Sequence, residues 1–252
     1  MRRYVNSLRD SGHLVYVLAI SDRFHKNYES SANLVIYRFG IEKKRGTYIS
    51  RLLEYILLFL VTFFRATYLF FAKDVRIYHV HTFPDFLVWA TLIPRLLGAK
   101  VILDMHELTP EAMMQREKIS ENSLIVKTLK FIEKISIKFA SEVITIHEPA
   151  AKLLHSRNNK EFNVIMNGVD EYDLKNFNPK ECNEFIIVYN GTINFNLNLD
   201  YIIEALFLLK DDTEIDFSRI RFKIYGKGPA LKNILDKSKE LGLENIVEYK
   251  GS

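Results

Sequence analysis

The sequence predicts an α/β fold of two doubly wound domains, the second one truncated, and three observations carry that reading. Short β-rich runs alternate with helix-length periodic segments from one end of the chain to the other. Several of those runs are continuously apolar, the pattern of strands buried on both faces of a parallel sheet. A polar, turn-rich stretch, NGVDEYDLKNFNPKECNE from Asn167 to Glu184, has no helical period and reads as a linker between two sheets.

Taken in order, Tyr4–Ser11 reads as the later part of a helix, ended at Gly12 and followed by a strand over Leu14–Ile20. A helix in that place normally has a strand ahead of it, so the chain is expected to be incomplete at its start. Leu34–Phe39 is the next strand, rich in β-branched and aromatic residues. Leu52–Ala72 (LLEYILLFLVTFFRATYLFFA) has the roughly 20 residues that a bilayer span needs. Glu54 and Arg65 interrupt it, and a charge near the bilayer centre costs about 2.5 kcal/mol or more. These two lie close to three helical turns apart and so share a face. An amphipathic helix with one face in the core and one toward a membrane interface is expected, with Lys43, Lys44 and Arg45 just upstream.

Strands at Val75–Val80 and Lys100–Asp104 flank a helical segment over Pro84–Leu97. A helix over Glu121–Ala140 leads to strands at Glu142–Ile146 and Asn163–Met166. Beyond the linker, strands at Glu184–Tyr189, Arg219–Tyr225 and Asn245–Tyr249 alternate with helices over Leu197–Lys210 and Pro229–Leu241. A second sheet of three strands is thin, so the chain is expected to be incomplete at this end as well. The expected domains are residues 1–167 and 168–252.

At 252 residues, 48% hydrophobic and 26% charged, the chain has the composition of a soluble globular protein with a sizeable core. Cys182 is the only cysteine, which excludes an intramolecular disulfide and fits a reducing compartment. The opening MRRYVNSLRDSGH has no apolar core and so no secretory signal, and the sequon at Asn190 reads as accidental. The net charge of +4 hides an asymmetry: Met1–Arg76 carries 13 Lys/Arg against 6 Asp/Glu, the remainder 22 against 25. A basic amino-terminal third suggests an anionic surface nearby, lipid or polyanionic substrate, against the plainer reading of a solvated basic face. The basic residues are not interleaved with aromatics as single-strand binders require, which speaks against nucleic acid.

Ligands of doubly wound sheets bind at the carboxyl ends of the strands. That rule selects His79–Asp85, His106–Glu111, Gly191–Asn198 and Gly226–Pro229. His79 and His81 are two apart on a strand end and point the same way; with Asp85 or His106 they could coordinate zinc, although any His-x-His on a strand meets that test. Gly226-Lys227-Gly228-Pro229 follows a strand and opens a helix, where glycines allow close backbone approach and the helix terminus offers free N–H donors to a phosphate. Gly191 occupies a similar strand-to-helix turn, so two anion-friendly turns lie in one domain; a pair of simple tight turns is the alternative. In KVILDMHELTPE an apolar strand runs into Asp104, His106, Glu107 and Glu111. The His106 ring suits a hydrogen bond to a sugar hydroxyl or acid–base work, with a satisfied loop histidine as the alternative.

Several stretches together resemble retaining glycosyltransferases of family 4, which have the two-domain GT-B fold of Rossmann-like halves. VRIYHVHTFPDFLVWATLIPRLLGAKVILDMHELTPE is similar to that family's strand–helix–strand run ending in a His-acid loop. ASEVITIHEPAAKLL followed by FNVIMNGVDEYDLKNFNP resembles its crossing into the second domain. FIIVYNGT, LDYIIEALFLLK and RFKIYGKGPALKNILDKSKELGLENIVEYKG resemble the first half of its nucleotide-binding domain.

That resemblance implies an acceptor-side first domain and a second domain that holds a nucleotide-activated sugar in the cleft. It implies that His106 contacts the donor sugar, that Asn167 and Gly168 lie at the domain junction, and that Gly191, Thr192, Gly226, Lys227 and Gly228 lie near the donor's nucleotide and diphosphate. No metal and no cofactor beyond the nucleotide sugar are implied; the acceptor would be a glycan or lipid-linked. A cytoplasmic location, at the inner face of the cell membrane through residues 43–72, is expected, in polysaccharide or glycoconjugate biosynthesis.

The sequence departs from the family in three places. The glycine-rich loop after the family's first strand and the Glu-x7-Glu motif of its second domain have no counterpart. Where the family usually carries an arginine and a further cation in the loop after the glycine, this chain has Thr192 and Leu197. The fragment alone is therefore expected to be inactive, and a non-catalytic GT-B-like subunit that binds a partner glycosyltransferase or a glycan is the alternative. A metal-dependent hydrolase built on His79, His81 and His106 is a third reading.

Overall fold

The computed structural model describes residues 2–21, 27–40, 48–168 and 182–251. Lys43, Lys44, Arg45 and most of the expected linker lie outside the described residues. The chain divides into two compact units, Met1–Gly168 and Val169–Ser252.

In the first unit α1 (Arg2–Asp10) leads into β1 (Val15–Ile20). β3 (Leu34–Phe39) pairs parallel with β1 and antiparallel with β2 (Tyr28–Ser31). The β2–β3 hairpin turns at Ala32-Asn33, with Asn33 in the left-handed region at φ 58°. Its first strand, YESS, is short and polar and gives no strand pattern in the sequence; the pairing with β3 makes it a strand.

α2 (Tyr48–Lys73) is a 26-residue helix that joins this sheet to a second one. Leu58, Ala66, Leu69 and Phe70 form its buried face. Asp74 (φ 51°) ends it and Val75 N–H donates back to Leu69, so the following strand starts at Ile77 and not at Val75. The second sheet is all parallel in the order β4 (Ile77–His81), β5 (Lys100–Met105), β6 (Glu142–Thr145) and β7 (Asn163–Val164). Between β4 and β5 the expected single helix is a 3₁₀ segment, Asp85–Thr91, followed by the short α3 (Leu92–Leu96). α4 (Thr109–Glu117) and α5 (Leu124–Phe139) connect β5 to β6, and α6 (Glu148–Asn158) connects β6 to β7. Ser123 caps α5 by accepting from Val126 N–H, and His147 Nδ1 caps α6 by accepting from Ala150 N–H. Val101, Leu103 and Met105 on one face of β5, with Val143 of β6, form the core against Val88, Ile137 and Leu154.

The second unit is a parallel three-stranded sheet in the order β10 (Val247–Gly251), β9 (Ile220–Tyr225), β8 (Phe185–Asn190). α7 (Asp200–Leu209) and α8 (Leu231–Glu240) pack on it through Ile203, Leu206 and Ile234, against Phe222 and Ile224. Both helices start later than the sequence pattern suggests. Left-handed Asn198 (φ 49°) closes a 3₁₀ turn before α7, and Ala230 N–H is committed to Ile193 O, which leaves Pro229 in the turn ahead of α8.

Candidate functional site

Each unit gathers part of the chemistry. In the first, the parallel register places His79 opposite Ile102 and His81 opposite Asp104. His79, His81 and Asp104 therefore occupy one face of the sheet, and the loop after β5 brings His106 over the same spot. His79 Nε2 and His81 Nδ1 each lie 3.0 Å from Asp104 Oδ2, and His106 Nε2 lies 3.2 Å from it. His81 Nδ1 is also 3.0 Å from His106 Nε2. The rings of His79 and His81 stack at 4.5 Å, those of His81 and His106 at 5.2 Å, and Tyr4 of α1 meets the His79 ring edge-on at 5.4 Å.

Asp104 is 2% exposed, whereas the three histidine side chains retain 19–27%. Burial pushes its carboxyl up, but the hydrogen bonds from His79 and His81 and the charge of His106 prevail and hold it well below the usual carboxylate range. The result is a buried anion with three imidazoles above it, one of them on a loop. Thr82 fixes that loop: its Oγ1 accepts from His106 N–H, and its own N–H donates to Asp104 O.

The polar atoms of His79, His81 and Asp104 lie within 4.8 Å of one another, so among the described residues these three could hold a metal ion. Asp85 is not among them. It is buried on the 3₁₀ segment, accepts from Thr109 Oγ1 at 2.9 Å, and has its carboxyl pushed up to about 6, chiefly by burial. Next to it in charge lies a buried ionic group: Arg157 donates through Nη1 and Nη2 to both oxygens of Glu111 and through Nη2 to Glu133, which is 1% exposed.

In the second unit the two turns meet backbone to backbone. Gly191 N–H donates to Tyr225 O at 3.0 Å, and Ile193 N–H to Lys227 O at 2.9 Å. A Cβ on Gly226 would stand 1.8 Å from Gly191 O, and one on Gly228 2.0 Å from Ile193 O, so neither position tolerates a side chain. Gly226 also adopts φ 137°. The turns enclose a depression of about 680 Å³ lined by Val188, Asn190, Gly191, Thr192, Tyr225, Gly226 and Lys227. Lys227 is the charged residue of the seven. Leu197 is exposed on the 3₁₀ turn and does not line the depression. Tyr189 Oη donates to Thr192 O and Tyr249 Oη to Gly226 O, which steadies both rims.

The structure thus brings Gly191, Thr192, Gly226 and Lys227 together, with Gly228 packed behind them. It places His106 in the imidazole cluster of the first unit, and Asn167 and Gly168 exposed at that unit's end. Asn190 and Tyr225 carry no motif, and Asp104, visible in the sequence as an acid at the end of an apolar strand, has no site role assigned by it. The signal for Asp104 was an acid inside an apolar strand, which becomes informative only when β5 is paired with β4.

A family model described as Glycosyltransferase Family 4 matches residues 1–172. No curated protein matches the sequence. Among solved structures, one described as trehalose-6-phosphate from E. coli bound with UDP-2-fluoro glucose has a TM-score of 0.63 at 11% identity, over 99% of this chain and 69% of that one. WaaG, described as a glycosyltransferase involved in lipopolysaccharide biosynthesis, has a TM-score of 0.53 at 12% identity, over 100% of this chain and 65% of that one. TarM has a TM-score of 0.52 at 18% identity, over 77% of this chain; the chain spans 36% of its length. At these identities the likenesses show the fold, which is GT-B.

Proposed function

Starting from the fact that the chain belongs to glycosyltransferase family 4, we propose that the protein it represents moves a sugar from a nucleotide-activated donor to a glycan or lipid-linked acceptor, with retention and without a metal. The observation that carries this reading is the glycine-floored depression between the turns at Gly191 and Gly226, with Lys227 on its rim. Backbone that cannot accept a Cβ, with a cation beside it, suits a diphosphate, and the α8 terminus adds to the positive field.

In the proposed reaction the bond from the anomeric carbon to the diphosphate oxygen breaks and the acceptor oxygen bonds to the same face of the oxocarbenium-like sugar. The acceptor's hydroxyl proton passes to the departing diphosphate. Lys227 stabilises the charge that develops on the leaving group, and His106 hydrogen-bonds the transferred sugar. Asn167 and Gly168 join the acceptor-side and donor-side domains. The reaction is placed at the cytoplasmic face of a membrane, in polysaccharide or glycoconjugate assembly, which fits the basic amino-terminal third.

Calorimetric titration with uridine, guanosine and thymidine diphosphates and their sugars tests the reading, followed by NMR of the product's anomeric configuration. For the protein that this chain represents, saturable binding of one nucleotide class, transfer to an added acceptor and a retained configuration are expected. A folded protein that binds none of them would overturn the proposal. A second reading, a non-catalytic GT-B subunit that binds a partner enzyme or a glycan, draws on uncharged Thr192 and Leu197. Hydrolysis of a donor sugar would count against it.

A further inference from the structure

α2 carries an apolar stripe that the other described residues of the first unit leave open. Leu53, Leu57, Leu60, Phe64, Tyr68 and Phe71 are 44–67% exposed. At 100° per residue they fall within about 80° of one another around the helix and run for roughly 27 Å along it. Leu52 and Ile56 widen the stripe on one side. The charged residues between positions 52 and 72, Glu54 and Arg65, lie about 80–100° from its centre, on the other side. Arg65 stands between β3 and the edge of the stripe, with its guanidinium 4.3 Å from the Tyr37 ring and 5.8 Å from that of Tyr68. An apolar surface of this size on one helix marks an interaction site.

The spacing of the six residues would also serve a helix pair. A coiled-coil seam is bordered by charged positions that select partner and register, however, and here one border is Leu52 and Ile56. By sequence position the cations flank the helix instead: Lys43, Lys44 and Arg45 precede it, and Lys73 stands at its close, where Arg76 is paired with Asp74. Aromatic residues toward one end, an uncharged stripe and basic residues flanking both ends match the acyl–headgroup boundary of an anionic bilayer.

We propose that α2 docks on an anionic lipid surface, with its axis along the membrane plane and the Leu53–Phe71 stripe inserted below the headgroups. This rests on the membrane-side placement proposed above and assigns it to one face of one helix. Glu54 and Arg65, on the flank, remain at headgroup level, which distinguishes this arrangement from a transmembrane span.

The test uses phosphatidylcholine vesicles with and without phosphatidylglycerol, and no nucleotide sugar, so its outcome is independent of the transfer reading. The protein should sediment with the anionic vesicles and release at high salt. Combined Leu57→Glu, Phe64→Glu and Phe71→Glu substitutions should weaken binding about 100-fold or more, without loss of helicity. In a Cys182→Ser background, Phe64→Cys carrying an environment-sensitive fluorophore should shift to the blue on the same vesicles. Binding that the triple substitution leaves intact, or a fluorophore that stays in water, would overturn the proposal. So would a lipid-free dimer that the triple variant dissolves, since a second copy would then own the face.

Discussion

Asp104 Oδ2 lies 3.2 Å from Nε2 of His106, buried beneath the ring that the proposed reaction sets against the sugar. A carboxylate accepts and never donates, so it fixes which imidazole nitrogens carry protons. Asp104→Asn introduces an N–H pair among those nitrogens and removes the charge. Transfer should fall about 10- to 100-fold, the equivalent of one charged hydrogen bond, with nucleotide affinity unchanged. Asp104→Glu should recover part of the rate. Since the folded carboxyl titrates below its unfolded value, its contribution to stability is present above about pH 4 and lost as the pH falls. The Asn variant should therefore lose the acid-side part of the melting profile. A variant that keeps the parent rate would remove Asp104 from the site.

The same cluster supplies a metal test. His79, His81 and Asp104 offer ligand atoms within 4.8 Å, yet both histidines already hydrogen-bond the carboxylate. Transfer should persist after dialysis against a chelator, and added zinc should not raise it. Loss on chelation with recovery on zinc would assign the cluster to a metal and overturn the metal-independent reading.

Asp85 gives a pH dependence of the opposite sign. Burial raises its carboxyl from 3.8 to about 6 in the folded state. Its stabilising contribution is thus fully present below about pH 4 and is lost as the pH rises through about 6. The shift corresponds to roughly 3 kcal/mol against the folded state at pH 8. Asp85→Asn stays neutral and keeps an acceptor for Thr109, so it should raise the melting temperature by several degrees at pH 8 and change little at pH 4. Equal effects at both values would show that Asp85 does not titrate on folding.

Arg157 serves two acids at once, and Glu133 has little water to fall back on. Burial pushes the Glu133 carboxyl up even with Arg157 beside it. Arg157→Met leaves Glu133 buried without its cation and should cost about 3–5 kcal/mol. Adding Glu133→Leu should restore most of that loss, because an apolar pair can replace a buried ionic one. Chemical denaturation of the two variants decides the point; additive losses would mean that the two residues do not interact.

The sequence made most of the parallel framework legible because the buried strands are short continuous apolar runs, as in KVIL and FKIY, with helices of clear period between them. The His-x-His on β4 and the glycines at 191 and 226–228 were visible because ligand sites collect at strand ends. What stayed hidden depends on pairing. The β2 strand YESS exists only because β3 offers it an edge, and Asp104 became a site residue only when register set it opposite His81. Asp85, grouped by sequence proximity with His79 and His81, is instead tied to Thr109. The break of Pro84–Leu97 into a 3₁₀ segment and a short helix is likewise absent from the hydrophobic pattern.

Gly226 and Gly228 allow the sharpest test of the proposed donor site. Their missing side chains are what let the two turns touch, at 1.8 Å and 2.0 Å from where a Cβ would sit to the nearest carbonyl oxygen. Gly228→Ala cannot be accommodated by rotating a side chain, because the obstacle is the Ile193 backbone, whose N–H and C=O are both engaged across the turn. Either alanine should part the turns, abolish nucleotide binding and lower the melting temperature of the second unit. Lys227→Ala leaves the backbone intact and removes one cation facing the diphosphate. It should weaken nucleoside diphosphate binding about tenfold, weaken the nucleoside far less, and reduce the salt dependence of binding. Nucleotide binding that survives Gly226→Ala at full strength would place the donor somewhere other than this depression.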